Sequence, residues 1–303
     1  DQFNVTLYGV TAVVFMTLQA FAGMWINAFI VSVICMAWVK KKTLNSNEKI
    51  LLLLGCSRFW HLCFSWLYSF LSIIYPHCFY VQPIYTPTAT LQRSFEFSNL
   101  WVTACLSVFY CAKIANFRNS FFIYLKVKID RIVPWLLLGS QLLSLAMGIL
   151  VYNTSSKEHS NNFNCQGNFS KQSIKIDVFF LTYFVIGSGF VTSFMTVTFS
   201  ALLLLFSLQR HKRNMQTNSM KDLSMDAHIK AMKSILSFLV MYSVNFGFLI
   251  LELTFTMNEE NLMMFLIYAF LYAFPGVHSL ILIFSNPKLE KTLLRILPCL
   301  KCK

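Results

Sequence analysis

The sequence predicts an all-α membrane protein, a seven-transmembrane helix bundle with its N-terminus outside and its C-terminus cytoplasmic. The composition decides the class. Of the 303 residues, 56% are hydrophobic and only 12% are charged, and the mean hydropathy is +0.59. A soluble domain carries about 25% charged residues. The length of the apolar segments gives the number of helices, and the positions of the basic residues give their orientation.

Seven apolar segments are long enough to cross a bilayer, which takes about 20 residues of helix. They are predicted to be helices, because an open strand leaves backbone groups unpaired in lipid and a barrel would show alternating segments of about ten residues. The predicted spans are about 7–39, 50–75, 90–115, 132–152, 177–208, 229–257 and 262–284. The connections are short, so residues 1–303 form one domain, and residues 285–303 are a short basic cytoplasmic tail.

Most of the 25 Lys and Arg residues lie after spans one, three and five and in the tail. Because basic residues near span ends resist translocation, these segments are predicted to be cytoplasmic. Three N-x-Ser/Thr sequons then fall on outer segments; we expect glycans on Asn153 or Asn168, and Asn4 ranks behind them because it lies so close to span one. The net charge of +13 is therefore attributed to orientation and to contact with anionic membrane lipids, not to nucleic acid.

Polar side chains at membrane depth are costly and are usually functional. Arg58 lies about 12 Å into span two at the helical rise, so it must face the bundle interior and find acceptors. Its expected partners are Asn27 of span one and His278 and Ser279 of span seven, in a network that is either a static clamp or a switch.

The cysteines and histidines indicate no metal or catalytic site. Cys78 and Cys165 lie on outer segments and are a candidate disulfide. Cys299 and Cys302 in the tail fit palmitoylation better than a metal half-site. The sequence contains no zinc-protease, nucleophile-elbow, Walker or dinucleotide motif, and its six histidines lack metal-ligand spacing. We therefore expect no enzyme activity, no metal and no cofactor.

The end of span three carries a resemblance to a known family. Residues 100–117 read LWVTACLSVFYCAKIANF, so that Phe-Tyr-x-x-Lys-Ile-Ala stands where a rhodopsin-like receptor has Asp-Arg-Tyr. This resembles the type 2 taste receptors, the bitter receptors, which are seven-helix G protein-coupled receptors. Further matches to that family are Asn27, Ser57-Arg58, Ser207-Leu208, His211, Met215, His228, Ala231, Lys233, Phe238, Leu239, Pro275, His278, Ser279, Leu280 and Asn286-Pro287-Lys288-Leu289.

The resemblance implies a multi-pass plasma-membrane receptor. A bitter small-molecule agonist would bind in the outer half of the bundle, and a heterotrimeric G protein of the gustducin or inhibitory class would bind the cytoplasmic face. The candidate ligand-binding residues are Gln92, Glu96, Phe97, Tyr183, Phe190, Asn245, Glu252 and Tyr268. The candidate switch network is Asn27, Arg58, Tyr242, His278 and Ser279, and the candidate G protein-coupling residues are Tyr110, Lys113, His211 and His228.

Several positions depart from the family pattern. Gln92 and Glu96 stand where many members have Trp and Asn, and Ser193 stands where many have Pro. Asn245 of span six stands where members usually have the aromatic residue of the switch, and Tyr242 lies one turn earlier. Ligand preferences therefore do not carry over from other members.

Two alternatives remain open for the carboxylates of Glu96 and Glu252, in the outer parts of spans three and six. They could share a partly dehydrated site and prefer a protonated amine, with Tyr183, Phe190 and Tyr268 available for cation–π contact. Alternatively, Arg93 neutralises Glu96, and Glu252 faces bulk water.

Three other classes compete with a bitter receptor. A vomeronasal type 1-like receptor fits the motifs of spans two, three and seven less well. A small-molecule transporter would be expected to show internal repeats and paired charges at the membrane midplane. A membrane enzyme would need a catalytic cluster, which the sequence lacks.

Overall fold

A computed structural model describes residues 7–75, 79, 84–115, 117, 119–162, 169–216, 222–255 and 261–301. Within these ranges the side chains of 7–8, 155–162, 169–182, 211, 214–216, 222–231, 255, 261–262 and 297–301 are not described. Asn4, Asn168, Cys78 and Cys165 lie outside the described residues, as do the side chains of His211, His228, Cys299 and Cys302.

The secondary-structure elements of the described residues are all helices, as the composition predicted. The helices are α1 Leu7–Lys41, α2 Ser46–Ile74, α3 Tyr85–Ile114, α4 Ser120–Asn162, α5 Phe169–Gln216, α6 Asp222–Phe255, α7 Asn261–Ser285 and α8 Pro287–Lys301. The first seven are long and apolar enough to cross a membrane, which confirms the all-α seven-helix bundle. α4 and α5 extend well beyond the predicted spans, because hydropathy detects only the apolar part of a helix and not its polar ends.

The eighth helix was not predicted, because its hydrophobic positions are too few for a membrane span. Asn286 precedes it, and the Asn286 Oδ1 atom accepts a hydrogen bond of 3.1 Å from the Lys288 backbone nitrogen. Pro287 occupies the first helical position, where its missing N–H group costs nothing. Leu289 is buried in the bundle core, whereas Lys291 is exposed. The end of the bundle that carries α8 is called the inner end below, and the opposite end the outer end.

α3 is the axis of the bundle. It packs against α2, α4 and α5, while α1, α2, α5, α6 and α7 surround it through sequential contacts and a closing contact between α7 and α1. In its most apolar stretch of 18 residues 67% of the residues are buried, whereas in that of α6 only 17% are buried. α6 is therefore the least embedded of the seven spanning helices over the residues that the structure describes.

Two glycines bring α1 and α7 together. A Cβ atom on Gly276 would lie 3.3 Å from the Gly23 Cα atom, and one on Gly23 would lie 3.8 Å from the Gly276 Cα atom. Small residues at such positions let helix backbones approach closely in a membrane. This approach places Asn27, one turn after Gly23, beside Ser279, one turn after Gly276.

The connection between α1 and α2 is a tight turn of four residues. Lys42 has a positive φ of 54°, and its backbone nitrogen donates to the Trp38 carbonyl at 2.7 Å, which ends α1. A capping box then starts α2: the Asn45 side chain accepts from the Glu48 backbone nitrogen at 2.8 Å, and the Glu48 Oε2 atom accepts from the Asn45 backbone nitrogen at 3.2 Å. The Glu48 Oε1 atom accepts from Lys288 Nζ at 2.5 Å.

The predicted orientation can be tested through glycosylation. Asn153 is exposed near the outer end of α4. We expect glycosidase treatment to increase the gel mobility of the cell-expressed protein, and the shift to be reduced by Ser155→Ala, which removes the Asn153 sequon and leaves the asparagine in place, or by Asn168→Gln. A wild-type protein whose mobility does not respond to the glycosidase would contradict both the glycan sites and this support for the orientation.

Candidate functional site

A buried arginine lies at the centre of the bundle. Arg58 of α2 is fully buried. Its Nε atom donates to Asn99 Oδ1 at 2.9 Å, Nη1 donates to Ser279 Oγ at 2.8 Å, and Nη2 contacts His278 Nδ1 at 2.5 Å and Thr103 Oγ1 at 3.5 Å. Because an arginine has only donors, His278 Nδ1 must act as the acceptor, so the proton of a neutral ring lies on Nε2.

The network extends from the arginine to α1. Ser279 donates to Asn27 Oδ1 at 2.7 Å, and Asn27 Nδ2 donates to the Gly23 carbonyl at 2.8 Å. The structure therefore brings together four of the predicted switch residues, Asn27, Arg58, His278 and Ser279. Sequence reasoning missed Asn99 and Thr103, although two polar residues four apart on the central helix lie on one face and were a usable signal.

Tyr242, the fifth predicted switch residue, has no described hydrogen bond to this network. Its hydroxyl shares a hydrogen bond of 2.9 Å with Ser193 Oγ of α5, and its ring lies 6.2 Å from that of Phe274. Phe274 in turn lies 5.6 Å from the His278 ring. Tyr242 thus reaches the arginine network through aromatic rings, and Ser193 supplies its polar partner.

A polar cavity lies above the arginine, toward the outer end, between α2, α3, α6 and α7. Its volume is about 40 Å³. It is lined by His61, Leu62, Ser65, Gln92, Glu96, Asn99, Leu100, Asn245, Leu249, Glu252, Tyr268, Leu271, Tyr272, Phe274 and Pro275. Five of the eight candidate ligand-binding residues are in this set, namely Gln92, Glu96, Asn245, Glu252 and Tyr268.

The other three candidates do not line the cavity. Phe97 and Phe190 are buried and stack on each other with ring centres 5.3 Å apart, because Gly189 leaves room for the Phe97 ring: a Cβ atom there would lie 2.6 Å from Phe97 Cε1. They form part of the packed core between α3 and α5. Tyr183, near the outer end of α5, is half-buried away from the cavity lining.

An ion-pair cluster spans the outer part of this site. Arg93 Nη1 donates to Glu96 Oε2 at 2.6 Å, and Nη2 donates to Glu252 Oε1 at 3.1 Å. Both carboxylates are buried, whereas the Arg93 side chain is 21% exposed. The arginine therefore pairs with both acids, and the expectation that Glu252 faces bulk water is wrong, because α6 turns this position toward α3. The backbones of α3 and α6 have no extended packing in the described residues, so this ion pair adds a polar link to the side-chain contacts that the two helices make in a shared core cluster.

The α2 wall of the cavity carries polar atoms without described partners. His61 Nδ1 and Ser65 Oγ are buried and have no hydrogen-bond partner among the described residues. Ser69, one turn further, shares a hydrogen bond of 2.9 Å with the Tyr272 hydroxyl. The spacing of four between these α2 residues puts them on one helix face, a signal that the sequence contained. Buried polar atoms of this kind normally bind water or a ligand.

The inner end contains the candidate coupling residues. Tyr110 donates to Asn47 Oδ1 at 3.2 Å, and Lys113 Nζ lies 2.5 Å from Asp130 Oδ2 of α4. The Lys113 and Asp130 side chains are 38% and 52% exposed, so this ion pair is accessible to a partner. His211 and His228 lie on the inner parts of α5 and α6.

The arginine network predicts a stability effect. Arg58→Ala should lower the unfolding midpoint of the purified protein by several degrees and reduce its cell-surface level, because each buried polar group left unpaired costs about 1–3 kcal/mol. The matched control is Arg131→Ala, which removes an exposed arginine. An Arg58→Ala protein with the midpoint and surface level of this control would contradict the role of the network.

Comparison with known proteins identifies the family. The family described as "Taste receptor protein (TAS2R)" matches residues 5–301. The chain is 31% identical over 297 residues to taste receptor type 2 member 2 of Homo sapiens, with 96% of each chain covered. It is 31% identical to member 9 of Homo sapiens, covering 92% of this chain and 91% of the relative, and 33% identical to member 40 of Gallus gallus, with 96% of each covered. These matches set aside the vomeronasal-like, transporter and enzyme alternatives. The chain belongs to the taste receptor type 2 family and is a multi-pass plasma-membrane G protein-coupled receptor for bitter taste.

Proposed function

We propose that the bitter agonist binds in the outer cavity and that the inner end activates a G protein of the gustducin or inhibitory class. The observation that carries this proposal is the cavity itself. It is lined by carboxylates from two helices, by polar atoms of α2 that have no hydrogen-bond partner among the described residues, and by aromatic rings of α7. Convergent polar groups among hydrophobic and aromatic side chains are typical of a small-molecule site.

The size of the cavity indicates how binding leads to signalling. A volume of about 40 Å³ holds a few water molecules, whereas the pockets of drug-sized ligands measure about 300–1,000 Å³. An agonist must therefore widen the space between α3 and α6, which the Arg93–Glu252 ion pair spans. Only an agonist that binds the widened arrangement more tightly can shift the population toward it.

The charges at the site favour a cationic agonist. One guanidinium and two carboxylates leave one excess negative charge when all three groups are ionised. A ligand amine that takes the place of Arg93 on Glu252 breaks the link between α3 and α6 and still leaves that carboxylate paired. A neutral ligand that breaks the same link leaves a buried carboxylate without its cation, which is costly.

A continuous set of contacts connects the cavity to the arginine network. Phe274 lines the cavity and contacts the His278 ring, and His278 bonds to Arg58. Phe238, one turn toward the inner end from Tyr242, lies 4.6 Å from the same histidine ring. Movement of α6 therefore changes the packing around His278, and we propose that this is how the ligand acts on the inner end.

The ion-pair cluster generates a ligand-specific prediction. In a cell-based activation assay with a matched amine and neutral agonist, Glu252→Gln should reduce the potency of the amine about tenfold or more, since hydrogen bonds to charged groups contribute about 1.5–3 kcal/mol. The neutral agonist should be affected less. Arg93→Gln should raise basal activity, because it removes the link between α3 and α6.

The control is an acidic residue outside the site. Glu290→Gln removes an acid on α8, far from the cavity, and should leave both potencies unchanged. If Glu96→Gln and Glu252→Gln both retain the wild-type potency for the amine, the carboxylates do not select the ligand. Agonist binding in the cavity would still be testable through Asn245→Ala.

The inner end generates a separate prediction. Lys113→Ala or His211→Ala should reduce G protein activation or alter basal activity, while surface level and agonist occupancy remain close to wild type, because these residues lie at the inner end, away from the agonist cavity. Lys126→Ala, which removes another exposed lysine, is the control. A loss of agonist binding with unchanged activation per occupied receptor would show that the coupling assignment is wrong.

A further inference from the structure

A second cavity lies between the inner parts of α5 and α6, away from the agonist site. Its volume is about 190 Å³, and it is lined by Leu205, Lys212, Met232, Lys233 and Leu236. It is called the α5–α6 crevice below. Two lysines from different helices and three apolar side chains therefore share one open surface pocket.

The two lysines differ from other lysines at the inner end. Lys113 pairs with Asp130, and Lys288 pairs with Glu48. Among the side chains that the structure describes, Lys212 and Lys233 have no such acidic partner, nor a hydrogen bond. Two like charges at one pocket repel each other, so an anion bound between them would be stabilised by both.

The crevice opens toward the lipid-facing side of the bundle. Phe206 of α5 and Leu236 and Val240 of α6 are each more than half exposed, as expected for side chains in contact with acyl chains. Met232 instead packs inward, against the core cluster of Leu204 and Leu208. The apolar wall of the crevice is thus continuous with the lipid-facing surface, while its lysines lie at the inner ends of the two spans.

We propose that the α5–α6 crevice binds an anionic phospholipid of the cytoplasmic leaflet. The phosphate of the headgroup contacts the ammonium groups of Lys212 and Lys233, and an acyl chain lies along Leu205 and Leu236. A bound lipid of this kind contacts both α5 and α6, and so stabilises the arrangement of α6 in which the crevice has this shape. The proposal does not depend on where the agonist binds.

The experiment measures lipid retention by the full-length receptor. Receptor in nanodiscs of phosphatidylcholine containing phosphatidylinositol 4-phosphate is extracted and examined by native mass spectrometry. We expect the wild type to retain the phosphoinositide, and Lys212→Gln with Lys233→Gln to weaken retention by about fivefold for each lysine removed, as expected for basic residues at an anionic membrane surface. Lys212→Arg with Lys233→Arg should retain the lipid.

Controls separate this site from general charge effects and from other occupants. Lys126→Gln with Lys291→Gln removes the same charge from two other exposed lysines and should leave retention unchanged. Equal losses in the two double variants would overturn the proposal, because no particular site would then be involved. Displacement of the lipid by soluble inositol 4-phosphate at an equal concentration would overturn the choice of a lipid, because the apolar wall would contribute nothing.

A third result would assign the crevice to a protein partner. If the Lys212→Gln, Lys233→Gln variant retains the lipid and loses affinity for the purified G protein, the lysines contact that protein and the lipid proposal is wrong.

A second measurement needs no variant: the phosphoinositide should raise the unfolding midpoint of the wild type relative to phosphatidylcholine alone. An unchanged midpoint would also contradict the proposal.

Discussion

A buried positive charge without a described carboxylate partner constrains the whole bundle. The Arg58 guanidinium is fully enclosed, and its described partners are neutral groups of α3 and α7. Transfer of an ion from water into a protein interior costs several kcal/mol, which is offset only when the surrounding dipoles are well placed. The positions of α2, α3 and α7 relative to one another are therefore fixed by the geometry of one side chain, and the glycine contact between α1 and α7 brings Asn27 into the same set.

The centre and the outer part of the receptor differ in how their helices are joined. Around Arg58 the helices are held by hydrogen bonds from one cation to neutral acceptors at close range. Toward the outer end, α3 and α6 are joined instead by long charged side chains across a cavity. Such a connection can be exchanged for a ligand without disturbing the backbone packing on either side. The low burial of α6 has the same effect, because few apolar contacts have to be broken when that helix moves.

The sequence predicted the bundle well because each membrane span requires a long apolar segment, and such segments are visible in the sequence. It also predicted two direct partners of Arg58, His278 and Ser279, since a charge at that depth requires acceptors, but it missed Asn99 and Thr103. It could not decide whether Arg93 pairs with one acid or two, because the second acid lies on a helix 159 residues away in the chain. Phe97 and Phe190 show the same limit: an aromatic near a ligand cavity and an aromatic in the core look alike until helix rotation is known. α8 was missed because an amphipathic helix of 15 residues has no membrane-span signal.

Glu48 links the start of α2 to the start of α8 at the inner end. One carboxylate oxygen completes the cap of α2 and the other binds Lys288 at the start of α8, so two chain segments 240 residues apart share a single anion. Acetylation of that lysine, or an acidic partner that attracts it, would leave the cap as the only described hydrogen-bonded contact of the carboxylate and would remove this link between α8 and the first turn of α2. A partner that binds α8 would then act on the first turn of α2, the helix that carries Arg58.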